Sequence, residues 1–182
     1  ALVLNDMFKS DETELHLKTK ADKRFSNLYK LGIGAESYIK SFDMNYRDLV
    51  GIDRKIDHSI TGLFLTNDFN LSDNLFLNVS SRIEYTSQSN DWALLPRIAI
   101  DYRIKVFTIS ASAGKYQQTA AKQYLVYNEH LNQENTMQYV LSMQNSITNY
   151  RVFRAELYYK KYDSPVTMYN NAFQSDGEGY SK

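Results

Sequence analysis

From residue 14 to the end, apolar and polar side chains alternate with a period of two, and the alternation restarts after each short polar break. The clearest case is "RVFRAELYYKKYD" (151–163). Phe153, Ala155, Leu157 and Tyr159 fall on one parity, and Arg154, Glu156, Tyr158, Lys160 and Tyr162 on the other. A period of two is the mark of a strand with one face out of water. The same alternation occupies 14–20, 28–38, 61–70, 74–85, 94–103, 106–116 and 137–148, and "GYSK" at 179–182 begins another such run. The pattern predicts an all-β chain: an antiparallel up-and-down meander of eight to nine long strands.

Two features decide what such a meander is for. The runs are long: twelve residues at about 3.3 Å each extend about 40 Å, and nine to eleven tilted residues already cross a bilayer. The breaks between runs, at 21–27, 39–60, 71–73, 86–93, 104–105, 117–136, 149–150 and 164–178, alternate short and long. In an antiparallel meander every second connection lies at the same end, so one end should carry tight turns and the other large loops, as in transmembrane barrels. A Greek-key sandwich has no reason to sort its connections this way. The charges agree. Arg82, Arg97 and Arg154 all fall on the polar parity, and an Arg facing lipid at mid-depth would cost about 2–4 kcal/mol. The fold expected is therefore part of a transmembrane β-barrel. Its lumen-facing candidates are Arg82, Glu84, Arg97, Asp101, Arg103, Arg154, Glu156 and Lys160.

Composition taken alone points to a tyrosine-rich soluble β-protein, with 15 Tyr, 9 Phe and a mean hydropathy of −0.50. A barrel dilutes its hydropathy with a polar lumen and loops, so that average does not separate the two classes. Net charge is zero, which removes the electrostatic case for nucleic acid as a partner. With no cysteine there is no disulfide framework and no thiolate nucleophile or metal ligand.

Candidate chemistry is sparse. His16, His58 and His130 are far apart and lack metal-ligand spacing. The "GIG" at 32–34 has no following helix to hold a phosphate, so its glycines are expected to serve close packing or strand bending. No nucleophile elbow is present. Neither an enzyme activity nor a cofactor or metal is expected. The Asp residues within 42–59 do not have the spacing of a calcium loop. The richest loop, "YQQTAAKQYLVYNEHLNQEN" (116–135), sets Tyr116, Tyr124 and Tyr127 among Gln117, Gln118, Gln123 and Asn128. Aromatic surface beside amide donors and acceptors suits capture of a polar ligand such as a sugar or chelate; solvation of a barrel rim would need the same residues.

The stretch "SRIEYTSQSNDWALLPRIAIDYRIKVFTISASAGKYQQTAAKQYL" resembles the C-terminal barrel of TonB-dependent outer-membrane receptors, particularly those of Bacteroidetes. In that pattern a "GLRYEY"-like strand leads through a loop to "PRLSLSY", then a tight turn and "SLSYGKFYQ". The matching pieces are Ser81–Tyr85, Pro96–Tyr102 and Ser110–Gln117. "YRVFRAELYYKKYDSPV" (150–166), "GEGYSK" (177–182) and "RFSNLYKLGIGAESYIKSFD" (24–43) continue the likeness over nearly the whole chain. The resemblance implies a location in the outer membrane of a Gram-negative bacterium. It also implies active uptake of a nutrient such as a siderophore, vitamin or glycan, with outer-membrane lipid, the ligand and the TonB complex as partners.

Members of that family are plugged 22-stranded barrels, which eight or nine strands cannot form. Residues 1–182 are therefore expected to be a single barrel segment of a longer receptor, without its plug. TonB would then be reached through that plug. Two other readings carry their own marks. A complete small outer-membrane barrel, structural or adhesive, requires first and last strands to pair. A soluble lipocalin-like barrel requires the faces inverted, with Leu77, Ile109, Phe153 and Leu157 inside.

Overall fold

The computed structural model describes residues 7–47, 52–125, 128, 131–148, 151–163, 165–169, 172–174 and 178–181. Eight long strands follow one another: β1 (Met7–Arg24), β2 (Tyr29–Arg47), β3 (Ile52–Asn70), β4 (Leu75–Thr86), β5 (Asp91–Ile104), β6 (Phe107–Gln118), β7 (Glu134–Thr148) and β8 (Arg151–Asp163). One helical turn, α1 (Lys122–Leu125), lies between β6 and β7. After β8 come a small hairpin, β9 (Thr167–Tyr169) with β10 (Ala172–Gln174), and a last strand, β11 (Glu178–Ser181). Each long strand pairs antiparallel with the next, and β11 pairs with β8, giving one sheet in the order β1-β2-β3-β4-β5-β6-β7-β8-β11. β1 and β11 are opposite edges, so the sheet is open.

The register carries the two-faced pattern across the whole sheet. Leu17, Ile33, Leu63, Ile83, Leu94, Ile109, Leu141 and Leu157 all share one face, and they are exposed: Leu63 to 65%, Leu157 to 72%. Each such side chain left in water forgoes about 1.5–3 kcal/mol of burial, so this face needs a hydrocarbon partner. The inverted, soluble arrangement is not what the chain forms, because the apolar residues are not gathered into a core.

Pairing is staggered as well. The row Lys23–Leu31–Asn67–Val79–Ile98–Ala113–Tyr139–Tyr159 starts beside the turn on β1 and ends in mid-strand on β8. A progressive offset of this kind is what tilted barrel strands require. Aromatic rings mark both ends of the apolar face. Tyr29 stacks on Phe69 at 5.1 Å near the tight turns, and Tyr85 meets Trp92 at 5.1 Å near the other end.

Tight turns at 25–28, 71–74 and 105–106 occupy one end. They are closed by local bonds such as Leu71 N–H to the Leu75 carbonyl (2.9 Å) and Phe25 N–H to the Tyr29 carbonyl (3.0 Å). Lys105 takes a left-handed φ of 53° as the first residue of its two-residue turn. The turn expected at 149–150 lies outside the described residues.

The opposite end corrects the expected loop at 39–60. There β2 and β3 remain paired from Ile39–Ser59 out to Tyr46–Ile52, and β1 stays paired with β2 from Leu15–Ile39 out to Met7–Arg47, so a three-stranded ribbon stands beyond the apolar band. Its outward positions on β2 and β3 are polar, as in Ser41 bonded to Asp57, while its inward positions mix polar groups, such as Lys40 paired with Glu14, with the apolar Phe42, Met44 and Ile56. Backbone pairing persists where the outward apolar stripe has gone, because the outward face no longer meets hydrocarbon and the apolar residues change to the inward parity. The break at 86–93 likewise shrinks to 87–90, with Asn90 at φ 51°.

Candidate functional site

The face opposite the apolar one is built of charges, amides and glycines. Its centre is Glu36 on β2, buried at 7% exposure. One carboxylate oxygen of Glu36 accepts from Lys18 Nζ (3.2 Å) and from the Tyr38 hydroxyl (2.9 Å), and it lies 2.8 Å from His16 Nε2. The other oxygen is paired with Arg82 Nη1 from β4, two strands away. Arg82 Nε in turn donates to Glu84 at 2.6 Å. His16 stacks on Tyr38 with ring centroids 4.0 Å apart. Period two puts these groups on one face, and the register, with Lys18 opposite Glu36 and His16 opposite Tyr38, brings them together. Buried carboxylates are tolerable only when saturated by donors in this way.

Glycines make the room. A Cβ on Gly62 would lie 2.9 Å from Arg82 Nε. One on Gly34 would lie 2.3 Å from the Phe64 ring and 2.4 Å from the Thr19 carbonyl oxygen. At Gly114 the space is taken by Arg97, whose guanidinium lies 4.2 Å above the Tyr116 ring. Long side chains thus lie flat along the wall instead of projecting from it. The "GIG" glycines were expected to serve close packing or bending, and the packing partners are the Phe64 ring over Gly34 and Asp22 beside Gly32.

Arg82, Glu84, Arg97, Asp101, Arg103, Arg154, Glu156 and Lys160 all lie on this polar face, opposite the apolar residues of their strands. The structure does not unite them. Arg82 and Glu84 belong to the Glu36 network, and Arg97 pairs with Tyr116. Arg103 covers Phe76 at 4.3 Å, and Arg154 and Glu156 form an exposed pair at 2.6 Å. The residues missed by sequence reasoning are Glu36, His16, Lys18 and Tyr38. The available signal was their polar parity, but their convergence depends on register between strands that the sequence does not align.

The loop candidates divide. Tyr116, Gln117 and Gln118 are not in a loop but form the outer end of β6, where Gln118 donates to Glu134 at 2.8 Å. Their polar sequence still pairs with β7 in register. Tyr124 and Gln123 are in α1, and the Asn128 amide donates to the Tyr124 carbonyl at 3.0 Å. Tyr127 and the Gln123 side chain lie outside the described residues, as does His130.

The segment between β6 and β7 does not stand free. Ala120, Leu125 (1% exposed) and Leu131 (2%) pack with Ile56 of β3, joined by Phe42, Tyr124 and Val166. The segment is pinned across the outer end of the sheet to strands far away in sequence. Beside this small core, Thr119 Oγ1, Gln133 Nε2 and Asn135 Oδ1 are buried without hydrogen-bond partners among the described residues. Among those residues no group of three His, Asp or Glu side chains could hold a metal ion. The face offers fixed charges, stacking surface and amides: equipment for holding and guiding a solute.

A family model described as "TonB dependent receptor-like, beta-barrel" matches residues 6–181. Among solved structures the chain is similar to the siderophore receptor PirA from Pseudomonas aeruginosa (15% identity, TM-score 0.69, covering 94% of this chain and 35% of that one). It is also similar to the copper transporter OprC (14%, TM-score 0.71, 95% and 33%) and to the ferric enterobactin receptor PfeA from Pseudomonas aeruginosa (12%, TM-score 0.68, 93% and 31%). No curated protein matches. The chain spans about a third of the length of these structures. The open meander, its exposed apolar face and its charged inner wall are those of a barrel segment, and the chain belongs to the family of TonB-dependent receptor-like β-barrels.

Proposed function

We propose that this chain is one wall segment of an outer-membrane receptor of a Gram-negative bacterium, which takes up a scarce nutrient by active transport. The family is one of transport receptors rather than enzymes. The observation that carries the proposal is the division of the sheet into an exposed apolar face and a face where carboxylates are buried under donors. A wall between hydrocarbon and a wet bore needs that division. Residues 1–182 would form a single barrel segment. Further strands would pair with the open edges of β1 and of β8 with β11, and a plug would fill the bore and contact TonB.

The polar face would line the path, with Arg97, Asp101, Arg103, Arg154, Glu156 and Lys160 beside the Arg82–Glu84 pair. Tyr116, Gln117, Gln118, Gln123, Tyr124, Tyr127 and Asn128, at the outer end, would meet the ligand first. A siderophore, a vitamin or a glycan would each find stacking surface and amides there.

The test is uptake by cells carrying the full receptor, offered a labelled ferric siderophore, cobalamin or oligosaccharide. One of these should accumulate inside, and an uncoupler should abolish accumulation while leaving surface binding intact. Entry unaffected by the uncoupler would reduce the protein to a passive pore and end the proposal.

A further inference from the structure

The apolar face is not uniform. On β6 its outward residues are Phe107, Ile109, Ala111, Ala113 and Lys115. Ala111 and Ala113 are flanked by bulky residues on both neighbours, Ile98 and Ile100 on β5 and Tyr139 and Leu141 on β7. The small pair therefore floors a depression of about 560 Å³, lined almost wholly by carbon. A second depression of about 440 Å³ continues from Ala113 toward Pro96 and Val79. Together they make a furrow in the very surface that meets the bilayer.

At the outer end of this furrow the chemistry changes within one pleat. Tyr139 and Tyr159 form a ring pair at 6.2 Å, and the next outward row is Lys115–Met137–Lys161. The two lysines stand two strands apart, about 10 Å at the usual strand spacing. Lys161 touches Asp163, one pleat further out, only at 3.9 Å. Lys115 makes no ion pair among the described residues. Two ammonium groups above a trough for hydrocarbon match the two halves of one kind of molecule.

We propose that this furrow is a binding site for a lipid with an anionic phosphate headgroup in the outer leaflet: acyl chains along Ala111 and Ala113, phosphate between Lys115 and Lys161. Charge complementarity selects this occupant. A zwitterionic lipid gains from the trough but little from the lysines, and an apolar protein neighbour would bury them unpaired. The inference rests on the reading that this face meets the bilayer and that the β6–β7 connection is on the exterior.

The experiment uses the full receptor purified in detergent, with native mass spectrometry after addition of dimyristoyl phosphatidic acid or dimyristoyl phosphatidylcholine. The wild type should retain the anionic lipid about twenty-fivefold more tightly. Each lysine removed should cut that preference about fivefold, so Lys115→Gln with Lys161→Gln should erase it, whereas Arg at both positions should keep it. Ala111→Phe should weaken both lipids by filling the trough. These outward, interfacial changes leave the inner wall intact, and a heat-modifiable band on gels confirms assembly of each variant.

Equal retention of the two lipids by the wild type, a preference that survives the double substitution, or displacement by inorganic phosphate alone would overturn the site while leaving the receptor reading standing. Retention of neither lipid would also overturn it and leave the furrow to a protein neighbour. A receptor that stays dispersed without detergent would overturn both.

Discussion

Arg82 is the residue on which the inner wall turns, because it is the only strong donor shared by Glu36 and Glu84 among the described residues. Replacing it by Ala leaves two carboxylates in a confined place with one lysine and one imidazole nearby. The expected loss is about 3 kcal/mol, in keeping with broken buried pairs. Urea unfolding of the full barrel in lipid vesicles measures it. Restoring neutrality with Glu36→Gln and Glu84→Gln in the same protein should recover much of the loss. Glycine gives a second prediction at this scale. At Gly34 an added methyl meets a backbone carbonyl that cannot move, whereas at Gly32 it meets the Asp22 carboxylate, the end of a side chain that can. Gly34→Ala should therefore impair assembly and Gly32→Ala should not, as read from the yield of heat-modifiable barrel. Which parity these residues occupy was legible in the sequence. That Gly34 lies beneath Phe64 was not, because a glycine does not announce the ring that fills its place.

At the scale of one strand, β8 shows how the two faces differ in tolerance. Leu157 is outward and bare; Glu156 beside it shares an exposed pair with Arg154. Leu157→Arg should cost about 2–4 kcal/mol of barrel stability, since it forces a cation into hydrocarbon. Glu156→Gln should change stability little, since exposed pairs contribute at most about 1 kcal/mol. The same vesicle unfolding series ranks them, and the reverse order would mean that the faces were assigned backwards. β8 was fully legible because its alternation lies inside the apolar band. The ribbon formed by the outer parts of β1, β2 and β3 was not. Beyond the apolar band the outward stripe ends and Phe42, Met44 and Ile56 lie on the inward parity, so the pattern that marks the other strands breaks, and only backbone pairing such as Ser41 opposite Asp57 reveals the strand. The β6 end beyond Tyr116 likewise lacks an outward apolar residue: Gln117 and Gln118, expected in the break at 117–136, are polar yet stay in the ladder.

For the whole sheet the decisive facts are its open edges and its stagger. An isolated sheet with two unpaired edges invites pairing with further copies. Residues 1–182 expressed alone and refolded in detergent should yield associated species and no compact monomer band, whereas the full receptor should give one. Size-exclusion chromatography with light scattering distinguishes these. The number of strands was readable from the alternation, but the offset that tilts them was not, since stagger is a relation between strands and leaves no trace in any one of them.

The ribbon beyond the apolar band has a practical consequence. Because the chain contains no cysteine, one placed by substitution has no competitor within it. A thiol at Lys55 (K55C), on the projecting ribbon, and one at Ser72 (S72C), in a tight turn at the far end, are separated by the full height of the sheet. A maleimide dye too polar to cross a membrane should mark the first in living cells and the second only after the envelope is breached. The molecule thus carries its own orientation gauge, and equal staining of both positions would show that the proposed exterior was chosen wrongly.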